Sequence, residues 1–357
     1  MKIAFVAQPF DGVLPPRQNS IGLIIYHTAR QLARDAAVTV YLPQGDDGDV
    51  REQDGVTYRP VSTRVDDAVL SFAKRYPSLV DGSKLFTSGL YYLNYITRVA
   101  LDLRRSGFDI IHIVNFSQFA PVVKRLNPDT RVVLEMQCEW LEQLDHRMVA
   151  KRLRSVDLIT GDSEHITHGV RNAFPNLSTP CRTAYNGFDE DRFTPDGTKH
   201  AGRAPTLLFV GRVSPEKGVH LLVDALAVVV KRFPEARLVS AGARSQAPLE
   251  YLIGLSKDQA LTQLAAFYDG RLSTNYQEYL DRRARELGVS RNIEFTGALP
   301  QSELPNLYGS ASVLVNPSFS ESFGMSLVVA MATRKPVVAT RVGGMKEIVE
   351  DGRTGFL

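Results

Sequence analysis

The feature that most constrains this chain is a rhythm that occurs twice. Short apolar runs alternate with longer amphipathic stretches, the pattern of βαβ units built on parallel sheets. In the first half, strands are predicted at Lys2–Ala7, Val38–Leu42, Val56–Val61, Asp109–Ile113, Arg131–Met136 and Asp157–Gly161. Helices are predicted near 21–34, 88–106, 117–126, 144–155 and 163–173. The rhythm breaks at NGFDEDRFTPDGTKHAGRAP, residues 186–205, where Gly, Pro, Asp and Thr replace apolar periodicity. It restarts with Thr206–Val210, a helix over 216–232, then Ala236–Ala241, Asn292–Thr296, Val313–Asn316 and Val337–Thr340. The expected fold class is therefore α/β with two doubly wound, Rossmann-like domains, at 1–185 and 206–357. Residues 186–205 form the hinge between them.

Composition agrees with that division. A chain of 357 residues exceeds one ordinary domain, and 44% hydrophobic with 23% charged residues is ordinary for a globular protein. The 42 basic and 39 acidic residues leave a net charge of only +3, which speaks against a nucleic-acid partner. Cys138 and Cys181 are too few for a disulfide framework and fit a reducing cytoplasm. The opening MKIAFVAQPF reads as a buried strand rather than a signal peptide. No apolar run reaches the roughly 18 residues of a membrane span. The expected setting is cytoplasmic, with at most peripheral contact at the inner membrane face.

Two stretches stand outside the rhythm. Residues 243–275 exceed the roughly 2–6 residues of a strand-to-helix connection and are expected to be partly helical. They suit decoration, an acceptor loop or an oligomer contact. The final Thr354-Gly355-Phe356-Leu357 reads as the start of a strand, so the second domain is expected to continue beyond it.

The strongest local signal is LLFVGRVSPEKGVHLLVDAL, residues 207–226. An apolar strand runs into Gly211, after which Ser214 suits an N-cap and Pro215 a first helical residue. Arg212 and Lys217 flank this turn at the carboxyl end of a strand, where open α/β sheets bind ligands. A guanidinium fork and an ammonium point charge suit a diphosphate, although a surface pair beside a capped helix would read the same. The second signal is NPSFSESFGMSLVVAMATRKPVVAT, residues 316–340. Glu321 precedes Phe323, Gly324 and Met325, whose backbone N–H groups open a buried helix and can meet an anion. Glu321 can accept sugar hydroxyls or simply cap that helix. Gly343-Gly344 follows a strand and either lines the same region or only makes a turn. The loop from Gln8 to Gly22 has no GxGxxG, which argues against a dinucleotide-dependent dehydrogenase. His165 and His168 share a helix face without a third metal ligand, and His112 ends a strand; no metal or cofactor is expected.

Together these segments resemble the family 4 retaining glycosyltransferases, of GT-B fold, in matching order along the whole chain. SIGLIIYHTARQLA is similar to the acceptor loop and helix, DIIHI and RVVLEMQCEW to middle strands, and NGFDEDRFTP to the interdomain hinge. GRVSPEKG fits the family's Gly-Arg-x4-Lys-Gly, ESFGMSLVVAMATRKPVVAT its Glu-led donor motif, and VGGMKEIVEDGRTGFL its late segment. The resemblance implies two domains facing a central cleft, and a sugar moved from a nucleoside diphosphate donor to a hydroxyl acceptor with retention. That acceptor would be a sugar, a lipid-linked glycan or a small molecule. It implies that Arg212 and Lys217 hold the diphosphate near Gly211, and that Glu321 contacts the sugar beside Phe323, Gly324 and Met325. Gly22 would approach the phosphate, and the base would rest near Gly297, Ala298 and Leu299. Three positions depart from the pattern. Val329 stands where a second glutamate binds ribose, Gln137 where a histidine approaches the sugar, and Ser20 where a glycine is common. Alternatives are a non-catalytic nucleotide-sugar binder of the same fold, or a nucleotide-sugar epimerase.

Overall fold

A computed structural model describes residues 1–16, 18–45, 50–76, 82–194, 204–246, 248–251, 253–270, 272 and 275–357. The chain divides into two units, Met1–Gly187 and Phe188–Leu357. Part of the predicted hinge, 195–203, lies outside the described residues, as do scattered positions within 243–275.

Unit 1 begins β1 (Lys2–Val6), α1 (Ser20–Leu32), β2 (Ala37–Pro43), β3 (Arg51–Gln53), β4 (Val56–Val61) and α2 (Arg64–Arg75). It continues α3 (Gly82–Thr87), α4 (Leu93–Ser106), β5 (Ile110–Val114), α5 (Phe119–Leu126) and β6 (Arg131–Met136). It closes with α6 (Trp140–Gln143), α7 (His146–Leu153), β7 (Leu158–Gly161), α8 (Glu164–Ala173) and β8 (Cys181–Thr183). The sheet runs β3-β4-β2-β1-β5-β6-β7-β8, parallel except for β3 against β4. Strands covered on both faces must be apolar along their length, and β1 is so beyond its exposed first residue Lys2: Ile3, Ala4, Phe5 and Val6 are all buried.

Unit 2 has β9 (Thr206–Val210), α9 (Val219–Arg232), β10 (Arg237–Ala241), α10 (Gln259–Gln263) and α11 (Tyr276–Glu286). Then come β11 (Ile293–Gly297), α12 (Leu304–Ser310), β12 (Val313–Asn316), α13 (Met325–Ala332), β13 (Val337–Ala339) and α14 (Met345–Ile348). Its five strands are parallel in the order β11-β10-β9-β12-β13. Near the end of the chain Phe356 pairs with Val338 of β13.

In both sheets the strand order reverses beside the first strand, between β1 and β5 and between β9 and β12. Such a switch point parts the loops at the carboxyl ends of the strands and leaves a crevice for a ligand.

Several expectations need correction. The helix predicted over 88–106 begins only at Leu93, as α4, because Tyr92 takes a left-handed conformation (φ 53°) just before it. The helix predicted over 216–232 begins only at Val219. Gly218 at φ 69° turns the chain out of a short 3-10 turn, Pro215–Lys217. Ser214 therefore caps nothing; its hydroxyl donates to Glu216 Oε1 at 2.5 Å. The 243–275 stretch is built into unit 2: Ile253, Leu261, Leu264 and Phe267 pack with Val213, Val219 and Tyr276 in one core cluster. No helix among the described residues is long and apolar enough to cross a membrane.

Candidate functional site

The switch point of unit 2 lies between the loop after β9 and the loop after β12. Glycines let these loops interlock. A Cβ on Gly218 would fall 2.1 Å from the carbonyl oxygen of Pro317, and the Phe319 N–H donates to the Glu216 carbonyl at 2.8 Å. A Cβ on Gly242, after β10, would fall 1.9 Å from the Gly211 carbonyl oxygen. This close packing carries Lys217 to Glu321, 104 residues away, with Nζ 2.8 Å from Oε2.

Three donors converge on Glu321 Oε2: Lys217, Ser318 Oγ at 3.2 Å and Asn316 Nδ2 at 3.5 Å. Oε1 makes no hydrogen bond with a described residue. Burial works against ionisation of this carboxyl, but the Lys217 ammonium and the three hydrogen bonds outweigh it and hold the group below the usual carboxylate range. Glu321 is thus an ionised acceptor with one oxygen spare. Its backbone is equally confined. A Cβ on Gly343 (φ 52°) would fall 1.8 Å from the Glu321 carbonyl oxygen, and the Gly344 N–H donates to it at 3.1 Å. The glycine pair therefore braces the glutamate rather than forming a mere turn.

Arg212 does not stand free either. Its Nη2 donates to Glu216 Oε1 at 2.8 Å and its Nε to Ser214 Oγ at 3.3 Å. Glu216 is buried at 1% exposure, while the Arg212 side chain keeps 39%. Each predicted cation is therefore held by a carboxylate, one that the sequence placed in the site (Glu321) and one that it did not (Glu216). Asn316 and Ser318 were also missed, because a polar loop after a strand carries no signal of which side chain turns inward.

Gly324 (φ 112°) precedes α13, so Met325 and Ser326 occupy the first helical positions, where N–H groups lack intrahelical partners. Phe323 is buried. Gly297 ends β11 at φ 74°, its carbonyl accepting from Gly242 N–H at 2.9 Å, and Leu299 follows half-buried. Val329 packs among Leu208, Leu314, Leu327 and Ala330.

Unit 1 has polar residues at its own switch point. Asn115, after β5, donates to Gln8, after β1, at 3.2 Å, and its Oδ1 accepts from the Gln137 N–H at 2.7 Å. Gln137 exchanges reciprocal amide bonds with Asn186 at 2.9 and 2.7 Å and donates to Glu135 Oε1 at 2.5 Å. Glu135 Oε2 lies 2.7 Å from His112 Nε2. Burial opposes the charge on Glu135, but His112 and Gln137 keep its carboxyl below the usual range. Asp11 differs: burial pushes it up to about 6 despite bonds from Asn19 and Gln8. Gly22 sits in the first turn of α1, where a Cβ would fall 2.0 Å from the Gly12 carbonyl oxygen. His165 meets Glu139 at 2.7 Å rather than His168, and with Glu142 these form the group among the described residues that could hold a metal.

Comparison with known proteins now bears on this geometry. Residues 191–357 match the family described as glycosyl transferases group 1. The solved structure of Anabaena HepE in complex with UDP and glucose resembles the whole chain at TM-score 0.69 and 20% identity, over 85% of that protein. Sucrose-phosphate synthase from Thermosynechococcus elongatus gives TM-score 0.67 and 18% identity with the same coverage. The fold is GT-B. Within it, unit 2 carries the group 1 glycosyl transferase pattern. The curated relatives include the putative glycosyltransferase YtcC of Bacillus subtilis, 28% identical over 75% of this chain and 65% of that protein. A D-inositol 3-phosphate glycosyltransferase of Corynebacterium urealyticum is 29% identical over 61% of this chain and 50% of its own length. The GT-B chain described here thus spans between half and two-thirds of these relatives.

Proposed function

We propose that this chain is a retaining, family 4 type glycosyltransferase that moves a hexosyl group from a nucleoside diphosphate donor to a hydroxyl acceptor. The observation that carries the reading is the Lys217–Glu321 pair at the unit 2 switch point, with Glu321 Oε1 left over. A donor's diphosphate exchanges the carboxylate for phosphate oxygens around Lys217 and Arg212, and the start of α13 adds backbone N–H groups. Glu321 then accepts hydroxyl hydrogens of the transferred sugar. These groups stabilise charge as it develops on the departing diphosphate, which takes the proton of the attacking hydroxyl on the same face of the sugar. The reading assigns that charge to residues of the chain and calls on no metal. The relative solved with UDP and glucose supports a UDP-sugar as first donor to test. The free thiols Cys138 and Cys181 suit a cytoplasmic setting.

Val329, apolar and buried where the family pattern has a ribose-binding carboxylate, favours a second reading: a nucleotide-sugar binder without turnover. Incubation with a panel of radiolabelled nucleotide sugars and hydroxyl acceptors separates the two. Labelled glycoside with the donor's anomeric configuration supports transfer. Donor binding with no product supports the binder, and inverted product contradicts the retaining mechanism.

A further inference from the structure

Arg152, near the end of α7, is 7% exposed, yet it makes no ion pair with any described residue. Its guanidinium donates from Nη2 to the Thr87 carbonyl at 2.5 Å and from Nη1 to Ser117 Oγ at 3.4 Å. A guanidinium carries five N–H donors, so most of them have no partner among the described residues. More exposed arginines of the same chain do better: Arg59, Arg244 and Arg283 each hold a carboxylate. Burying a cation without a counter-charge is costly, and burial alone pushes the Arg152 guanidinium down to about 10. A strut between α7, α3 and the β5 loop needs no charge. The charge needs another explanation.

Its position supplies one. Ser117 belongs to the loop after β5, two residues beyond Asn115, which meets Gln8 at the switch point of unit 1. This is the sheet edge where an open α/β unit receives its ligand. Phe116 in the same loop stacks on Tyr91 and meets Trp140 and Phe10 edge-on, so the surroundings are poor in water and an ionic bond there is strengthened.

We infer that Arg152 receives an anionic group of the acceptor, a phosphoryl group by preference, at the carboxyl edge of the unit 1 sheet. Guanidinium suits this because its planar fork pairs two donors with two phosphate oxygens. The inference rests on the transferase reading in taking the ligand to be the acceptor, but anion binding itself can be tested without turnover.

The test is calorimetric titration of the full chain, saturated with UDP, with glycerol 3-phosphate and with glycerol. The wild type is expected to bind glycerol 3-phosphate and not glycerol. Arg152→Met, which keeps the volume and removes the charge, is expected to weaken glycerol 3-phosphate about ten-fold or more while leaving UDP affinity and thermal midpoint nearly unchanged. Arg152→Lys keeps the charge without the fork and should bind at an intermediate level if the methionine variant does not fold. Lys217→Ala should behave in the reverse way, losing UDP and keeping glycerol 3-phosphate, so failure of the donor site and failure of this inference are distinguishable. Equal glycerol 3-phosphate affinity in wild type and Arg152→Met overturns the inference. So does a marked fall in the thermal midpoint of Arg152→Met together with no anion binding by the wild type, which is the behaviour of a strut.

Discussion

Replacing Lys217 by methionine separates a structural ion pair from a phosphate-binding lysine. Breaking one side of a buried pair costs about 3–5 kcal/mol. Here the two side chains retain 21% and 17% exposure, and Glu321 keeps its bonds from Ser318 and Asn316. The cost should therefore fall to roughly 2–3 kcal/mol, read from urea unfolding. The double variant Lys217→Met/Glu321→Gln removes the orphaned charge and should recover stability to within about 1 kcal/mol of wild type. UDP affinity should not recover, because the lost contact to phosphate, roughly 1.5–3 kcal/mol for a charge-assisted bond, is missing from both variants. That corresponds to about 10- to 150-fold in Kd. Since Glu321 is held below the usual carboxylate range, the stability from the pair is complete above about pH 4.3 and lost as pH falls below it. A double variant that binds UDP like wild type, or a single variant that loses stability but not UDP, would refute the reasoning.

Gly343→Ala should abolish UDP binding and destabilise unit 2, because its Cβ would collide with the Glu321 carbonyl at 1.8 Å. Gly352→Ala, also at positive φ but facing open space, should cost only about 1 kcal/mol of backbone strain in unfolding experiments. Val329→Glu should tighten UDP binding by supplying a ribose acceptor while lowering stability in its apolar cluster; unchanged affinity in calorimetry would mean the ribose is held elsewhere. His220, half-buried beside Phe267 and bonded to the Tyr276 hydroxyl at 2.9 Å, is pushed by desolvation down to about 4. The unfolded chain then binds the extra proton, so stability falls as pH drops from about 6.5 towards 4. His220→Phe should flatten that slope in pH-dependent melting; an unchanged slope would assign it to other groups.

Much of the fold was legible because parallel strands are apolar on both faces. Val56–Val61, Arg131–Met136, Thr206–Val210 and Val313–Asn316 form where the apolar runs place them. What escaped lacked that signal. β8 is Cys181-Arg182-Thr183, an edge strand with no apolar run. α2 escaped because its polarity is inverted: Asp66 turns inward to the Asn94 and Tyr95 N–H groups, while Val65, Val69 and Phe72 face outward. In the candidate site, residue types were readable and partnerships were not. Nothing local says that Glu216 neutralises Arg212, that Ser318 and Asn316 orient Glu321, or that Gly218 delays the helix by forcing a turn against Pro317. Only the last arises from loops distant in sequence meeting at one switch point; the other partners lie within five residues of each other, and their pairing depends on how each loop folds. The buried guanidinium of Arg152 was hidden because its partners, Ser117 and Thr87, lie far from it in sequence.

The most direct measurement is a crystal structure of the chain with UDP bound. The account predicts β-phosphate oxygens within hydrogen-bonding distance of both Lys217 Nζ and the Arg212 guanidinium, with Glu321 released from the lysine. A diphosphate bound elsewhere while the Lys217–Glu321 pair stays intact would contradict it.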